Sequence, residues 1–164
     1  LLFFAYRDFT SDADAILEEY GFGRAHHRVL HFVHRYPGMR VADLLEILKI
    51  TKQSLARVLK HLVDADFIEQ VEGRQDRRER LLYVKERGAD LADRLSSMQA
   101  ARVERALNGA GENADAAVKR FLFDMIKRAE RDDVATLLAL NGEALPSTRD
   151  QNDKRATDLR AATD

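Results

Sequence analysis

The 164-residue chain contains no cysteine and no tryptophan, and only 2 prolines and 8 glycines. Without cysteine there are no disulfides, thiolate metal ligands, catalytic thiols or thiol redox switches, so any metal would need histidine or carboxylate ligands. No apolar run approaches the roughly 20 residues needed to cross a bilayer. The apolar start, Leu1-Leu2-Phe3-Phe4-Ala5, is interrupted at Arg7 and Asp8. The chain is therefore expected to be soluble and cytoplasmic, with no membrane partner. It opens on leucine rather than methionine, which fits a start inside a longer product and leaves an N-terminal signal open. Nucleophile elbow, phosphate loop and His-Glu-x-x-His motifs are missing, and the length is too short for a barrel enzyme with a regulatory module, so catalysis is not expected.

A strong net charge is missing too, with 27 Lys or Arg against 28 Asp or Glu. That balance hides a division along the chain. Residues 21–80 carry 12 Lys or Arg, 8 Asp or Glu and all five histidines, whereas the flanks are acidic. A basic middle between acidic flanks orients that segment toward phosphate.

Hydrophobic periodicity and breakers divide the chain into elements. Residues 1–20 read as a helix with Leu2, Phe3, Tyr6, Phe9, Ile16, Leu17 and Tyr20 as apolar positions, capped or broken around Thr10-Ser11-Asp12. A second helix, from Arg24 to Tyr36, carries Ala25, Val29, Phe32 and Val33 and stops at Pro37-Gly38. Val41, Leu44, Leu45 and Leu48 mark a short helix. Thr51 caps another, whose apolar face is Leu55, Val58, Leu59, Leu62 and Val63. Two strands follow, at 67–72 and 81–84. The loop between them, residues 73–80, holds four arginines and no apolar side chain, so it must project into solvent or onto a partner. A long helix from Glu86 ends near Asn108-Gly109-Ala110-Gly111, and a further one spans 113–140 with Val118, Phe121, Leu122, Met125, Ile126, Val134 and Leu138 as its stripe. These terminal helices would expose apolar seams unless a second chain covered them.

The expected fold class is mainly α with a small β-hairpin. It comprises an N-terminal dimerisation helix (1–20), a winged helix-turn-helix domain (21–85), C-terminal dimerisation helices (86–140) and a polar tail (141–164). A short helix, a turn, a second helix and a basic hairpin form an arrangement suited to DNA. On the helix after Thr51 the side away from the leucines carries Gln53, Arg57, Lys60, His61 and Asp64, with Ser54 on its flank. Thr51, Gln53 and Ser54 stand at its positive end, where phosphates or base edges are favoured, and Arg57 one turn on presents a fork suited to guanine. The hairpin loop suits the narrow, strongly negative minor groove, with Arg78 at its tip and Arg74 and Arg77 adding charge.

A separate group, His27, His31 and His34, falls on one face of the second helix. Three readings are open for it. The face packs as an ordinary polar surface, or lines an effector pocket for a small aromatic or anionic ligand, or holds a metal through His27 and His31. No cofactor is expected. Two other functional classes stand beside DNA regulation: a winged-helix module that docks protein through its wing charges, and a His-dependent metal-binding protein or hydrolase.

Three segments carry a resemblance to a known family. Asp76-Arg77-Arg78-Glu79-Arg80 is similar to the Asp-x-Arg-x-Arg wing motif of the MarR family of winged-helix transcription regulators. Val84-Lys85-Glu86-Arg87-Gly88 stands where that family has Leu-Thr-x-x-Gly, and Leu48-Lys49-Ile50-Thr51-Lys52-Gln53-Ser54-Leu55 resembles its turn and recognition-helix start. The likeness runs over 21–90, and the helical order extends it to 140. It implies a homodimer on a pseudo-palindromic operator, often a repressor of nearby genes, with effectors bound between dimer helices and winged domain. It implies that Arg78 enters the minor groove, that Asp76 holds the wing arginines and that Arg80 is a structural partner in the hairpin. Lys85 departs from the pattern by removing the threonine cap of the next helix. The lack of cysteine excludes the thiol-oxidation sensing of some members.

Overall fold

The computed structural model describes residues 1–73 and 76–142. Arg74 and the polar tail beyond Gly142 lie outside the described residues. The chain forms two compact units, Leu1–Ala106 and the part from Leu107 onward.

The first unit contains α1 (Leu2–Glu18), α2 (Arg24–Arg35), β1 (Met39–Arg40), α3 (Val41–Leu48), α4 (Lys52–Asp64), β2 (Ile68–Glu72), β3 (Arg80–Val84) and most of α5 (Glu86–Ala110). Its core gathers Leu17 of α1, Val29, Leu30 and Val33 of α2, Leu44 of α3, Leu55, Leu59 and Leu62 of α4, Phe67, Leu82 of β3, and Leu91 and Leu95 of α5. Helical spacing puts these side chains on one stripe of each element, and burying them against one another drives the assembly. The stripe differs from expectation in one place. Val63 is 37% exposed, because it has turned past the core edge of α4.

Thr10 and Ser11 do not interrupt α1. Thr10 Oγ1 donates to the carbonyls of Tyr6 and Arg7, and Ser11 Oγ to that of Asp8, so both hydroxyls bond back along the helix. Only the second half of α1, at Ala13 and Leu17, enters the core; Leu2, Phe3, Phe4 and Tyr6 are exposed.

The sheet has three strands rather than two, in the antiparallel order β1-β3-β2. Met39 pairs with Leu82, and Ile68 to Glu72 pair with Val84 to Arg80. A Pro37-Gly38 turn delivers β1: the Met39 N–H donates to the Tyr36 carbonyl at 3.1 Å, and Gly38 takes φ +81°, the value a type II turn requires at that position. A strand of two residues has too little alternation to register as one in sequence. The start of α5 packs so closely on the segment between α4 and β2 that a Cβ on Gly88 would sit 2.1 Å from the Phe67 carbonyl oxygen. At Lys85, where no threonine cap is available, the ammonium pairs instead with Asp66, and α5 begins at Glu86.

The second unit departs from expectation. α5 runs through Gly109 to Ala110 and ends where Gly111 adopts φ +92°. The single helix expected over 113–140 is two: α6 (Ala114–Met125) and α7 (Arg131–Ala139), joined through extended backbone at Ile126 and Lys127 and a short 3-10 turn. Arg131 makes the break tenable. Its guanidinium donates to the carbonyls of Asp124 (2.5 Å) and Ile126 (3.0 Å), acceptors that the end of α6 leaves unpaired. No residue of α6 or α7 is buried, and Phe121, Leu122 and Met125 are each more than half exposed.

Candidate nucleic-acid interface

Between α3 and α4 the chain turns through Lys49, which adopts the left-handed conformation (φ 52°, ψ 41°), and then extends at Thr51. Thr51 Oγ1 accepts the Ser54 N–H at 3.1 Å and donates to Ser54 Oγ at 2.9 Å, so these two residues cap α4. Their hydroxyls are already engaged, whereas the other backbone N–H groups of the first turn remain at the positive end of the helix dipole.

The face of α4 away from its leucines is exposed at Lys52, Gln53, Ala56, Arg57 and Lys60. Lys60 is held by Asp64 at 2.5 Å, which neutralises part of its charge. Arg57 has no acidic partner among the described residues. His61 behaves differently from its neighbours: its Nδ1 lies 3.0 Å from His26 Nε2, and its ring meets the edge of Phe22, so it points back toward α2.

The wing is built by local hydrogen bonds. The Glu79 N–H donates to the Asp76 carbonyl at 3.0 Å, closing a β-turn with Arg77 and Arg78 at its centre. Asp76 Oδ1 accepts the Arg78 backbone N–H at 2.8 Å, an Asx-turn that shapes the loop through the main chain. Arg80 donates to the Arg77 carbonyl at 2.8 Å and pairs with Glu72 at 3.3 Å. These contacts leave the guanidinium groups of Arg77 and Arg78 exposed and without an acidic partner among the described residues. Gly73 lies so close to the turn that a Cβ there would come 2.6 Å from the Asp76 carbonyl oxygen.

Wing and helix share one concavity. A groove of about 860 Å³ is lined by Lys52, Ala56 and Lys60 of α4 on one side and by Arg78 and Arg80 of the wing on the other, over a floor that includes Leu45. Arg40 fastens this arrangement, pairing with Asp43 at 2.6 Å and Glu79 at 3.4 Å and so tying the start of α3 to the wing. Hydrogen bonds from this guanidinium hold the Asp43 carboxyl below the usual carboxylate range, outweighing the opposing effect of burial. Arg40 had no signal in the sequence, because its role depends on strand β1.

The three-histidine face of α2 is half-buried. His34 Nε2 lies 3.6 Å from Asp93 of α5. Burial pushes the pKa of both His27 and His31 below the ordinary value. Neutral imidazole is therefore favoured at both positions. Among the described residues no three His, Cys, Asp or Glu side chains are grouped to hold a metal ion, and no helix is long and apolar enough to cross a membrane.

A helix-turn-helix followed by a braced basic hairpin, both bordering one groove, defines a winged helix-turn-helix. The comparisons agree. The MarR family model matches residues 20–79. The chain is 46% identical over 130 residues to the HTH-type transcriptional regulator PetP of Rhodobacter capsulatus, spanning 79% of this chain and 78% of that protein. Among solved structures it is similar to Streptococcus pneumoniae FabT in complex with DNA (TM-score 0.68, 18% identity, 76% of this chain and 89% of that one). It is also similar to the S. aureus MepR–DNA complex (TM-score 0.63, 17% identity, 76% and 92%). The chain belongs to the MarR family and is a DNA-binding transcription regulator rather than an enzyme.

Proposed function

We propose that the protein is a homodimeric, sequence-specific repressor that acts in the cytoplasm on a pseudo-palindromic operator and is released by a small-molecule effector. The observation that supports the DNA-reading part is the shared groove, which sets Lys52, Ala56 and Lys60 of α4 opposite Arg78 and Arg80 of the wing, with Gln53 and Arg57 exposed on α4 outside its lining. α4 enters the major groove, where Gln53 and Arg57 read base edges and Lys60 adds charge. The amino end of α4, capped by Thr51 and Ser54, receives a phosphate. Arg77 and Arg78 reach the flanking minor groove, where guanidinium groups are favoured, while Asp76 and Arg80 keep the loop in shape.

Dimerisation is supported by the apolar side chains that α1 and α6 leave in water, among them Phe3, Phe4, Phe121 and Leu122. A surface of that kind is costly unless a second copy covers it. Two such domains would present their helices to major-groove faces about 34–36 Å apart. An effector acts only if it binds the DNA-incompetent spacing of the two domains more tightly than the competent one. The face of α2 bearing His27, His31 and His34 is the proposed place for it. Because burial favours the neutral forms of His27 and His31, an aromatic ligand accepting or donating hydrogen bonds suits this face better than one that needs charged imidazolium.

Selection from a random duplex library with the purified chain tests the reading. A palindromic site bound by two copies, with affinity falling steeply as salt rises, is expected. Weak affinity, flat at every ionic strength, would transfer the wing charges to protein docking.

A further inference from the structure

We propose that His26 and His61 form a neutral hydrogen-bonded pair that positions α4 for operator recognition and lets go of it on acidification. The inference rests on α4 being the base-reading helix. It adds His26, a residue of α2 outside the DNA-facing surface, to the side chains that decide specificity.

The hydrogen bonds leave one arrangement of protons. The Gly23 backbone N–H donates to His26 Nδ1 at 3.1 Å, so that nitrogen is an acceptor and neutral His26 carries its proton on Nε2. His26 Nε2 lies 3.0 Å from His61 Nδ1, so His26 donates, His61 accepts, and the proton of His61 is on its own Nε2. A further proton has no accommodating site inside the pair. On His26 Nδ1 it would face the Gly23 N–H, and on His61 Nδ1 it would face the His26 N–H.

The pair is also wedged sterically. Phe22, 7% exposed, stacks on His26 (4.8 Å between centroids, 16° between planes) and meets His61 edge-on (5.0 Å, 86°). Phe22 in turn packs on Phe67, in the segment that follows α4. Loss of the pair therefore removes the polar link between the last turns of α4 and the start of α2 and leaves their apolar contact to set the angle of α4 alone.

Acidic groups in the neighbourhood are committed elsewhere. Asp14 is paired with Arg24, Glu19 with Arg94, Asp64 with Lys60, and Asp66 with Lys85. Charged or titratable groups on the adjoining elements also include Glu18 on α1, His27 and Arg28 on α2, Arg57 on α4, Tyr20 stacked on Phe22, and Arg87 over the Phe67 ring. Among the described residues no carboxylate is paired with His26 or His61. Burial, and then His61 itself, push the pKa of His26 down, in keeping with a pair that is neutral when intact. A histidine whose folded pKa is depressed contributes fully above its unfolded value of about 6.5, and the contribution is lost as pH falls below that.

The test measures affinity of the full chain for its selected operator and for a scrambled duplex between about pH 5 and pH 8 at fixed ionic strength. The ratio of the two is the readout, because extra positive charge raises attraction to any DNA. The ratio is expected to fall several-fold on acidification, in the direction that loss of a neutral pair requires. His26→Ala lowers it at pH 8. His26→Gln restores it, since an amide accepts from Gly23 in an ordinary capping box and donates to His61. The double variant His26→Gln/His61→Gln flattens the pH profile. A wild-type operator preference that does not change with pH, or a double variant that keeps the wild-type profile, overturns the proposal alone. Lack of any operator preference at pH 8 overturns the reading of α4 and the proposal with it. Nitrogen NMR of the DNA-free protein is independent of both: Nε2–H tautomers on the two rings support the pair, and an Nδ1–H on either one overturns it.

Discussion

Replacing Gly88 with alanine tests the junction between α4, the sheet and α5 through the sign of the effect. At an unobstructed helical position glycine to alanine stabilises by about 1 kcal/mol, because the backbone has less freedom to lose on folding. At Gly88 the added Cβ would lie 2.1 Å from the Phe67 carbonyl oxygen and 3.0 Å from its carbon. An ordinary C···O contact is about 3.3 Å, so α5 must retreat by about 1 Å. Phe67 cannot yield in its place, since its side chain is 2% exposed and packed in the core. Overpacking of this kind costs about 1–3 kcal/mol, and the retreat also strains the 3.0 Å bond from the Lys85 N–H to the same oxygen, worth about 1 kcal/mol. After the helix-propensity gain the net loss is about 1–3 kcal/mol. For a domain of this size, thermal unfolding followed by circular dichroism should show a midpoint lower by about 5–20 °C. Gly109, also in α5 but with nothing within 4 Å of its Cβ position, is the control, and Gly109→Ala should be neutral or stabilising. A Gly88→Ala midpoint equal to or above that of the parent would refute the reasoning.

Arg78→Ala should weaken binding most where the flanking minor groove is narrow and reduce the slope of log affinity against log salt by about 1, whereas Arg57→Ala should cost about 1–3 kcal/mol at the operator with little change on random DNA. Fluorescence anisotropy over a salt series separates the two, and identical profiles would remove their separate roles. Thr51→Ala removes the α4 cap and should lower stability by about 1 kcal/mol in urea unfolding; no change would mean that the cap is replaced by solvent. His27 and His31 have depressed pKa values, so their unfolded forms bind more protons and stability should fall as pH drops below about 6.5. Replacing both with glutamine should reduce that fall in thermal scans, and an unaltered dependence would place its source in other groups. Phe121→Glu together with Leu122→Glu should turn a dimer into a monomer by light scattering; a dimer that survives would move the interface away from α6.

The strongly periodic stretches were legible. Val29 and Val33 and the Leu55/Leu59/Leu62 stripe all occupy the core, because burial of one stripe is what produces such spacing. The features that depend on contacts distant in sequence were not. β1 exists because Gly38 and Met39 bond to Leu82, and Arg40 matters because that strand carries it to Glu79. The break after α6 was hidden because Ile126 continues the apolar stripe, while the group that stabilises the broken end, Arg131, is five residues further on. His61 was assigned by helical face alone, and only the packing of α2 against α4 reveals His26 as its partner. Arg57 and the wing arginines stood out from the sequence for a simpler reason: charged residues with no apolar neighbours on a helix face or loop tip must be exposed wherever the rest of the chain goes.

The two-residue strand β1 has a mechanical consequence. By pairing with β3 on the edge opposite β2, and by placing Arg40 between Asp43 and Glu79, it moors the hairpin to the helix that precedes the recognition element. The reading head is thereby stiffened against bending at its root. A force applied through α5 would have to swing the whole head as one piece rather than bend the wing.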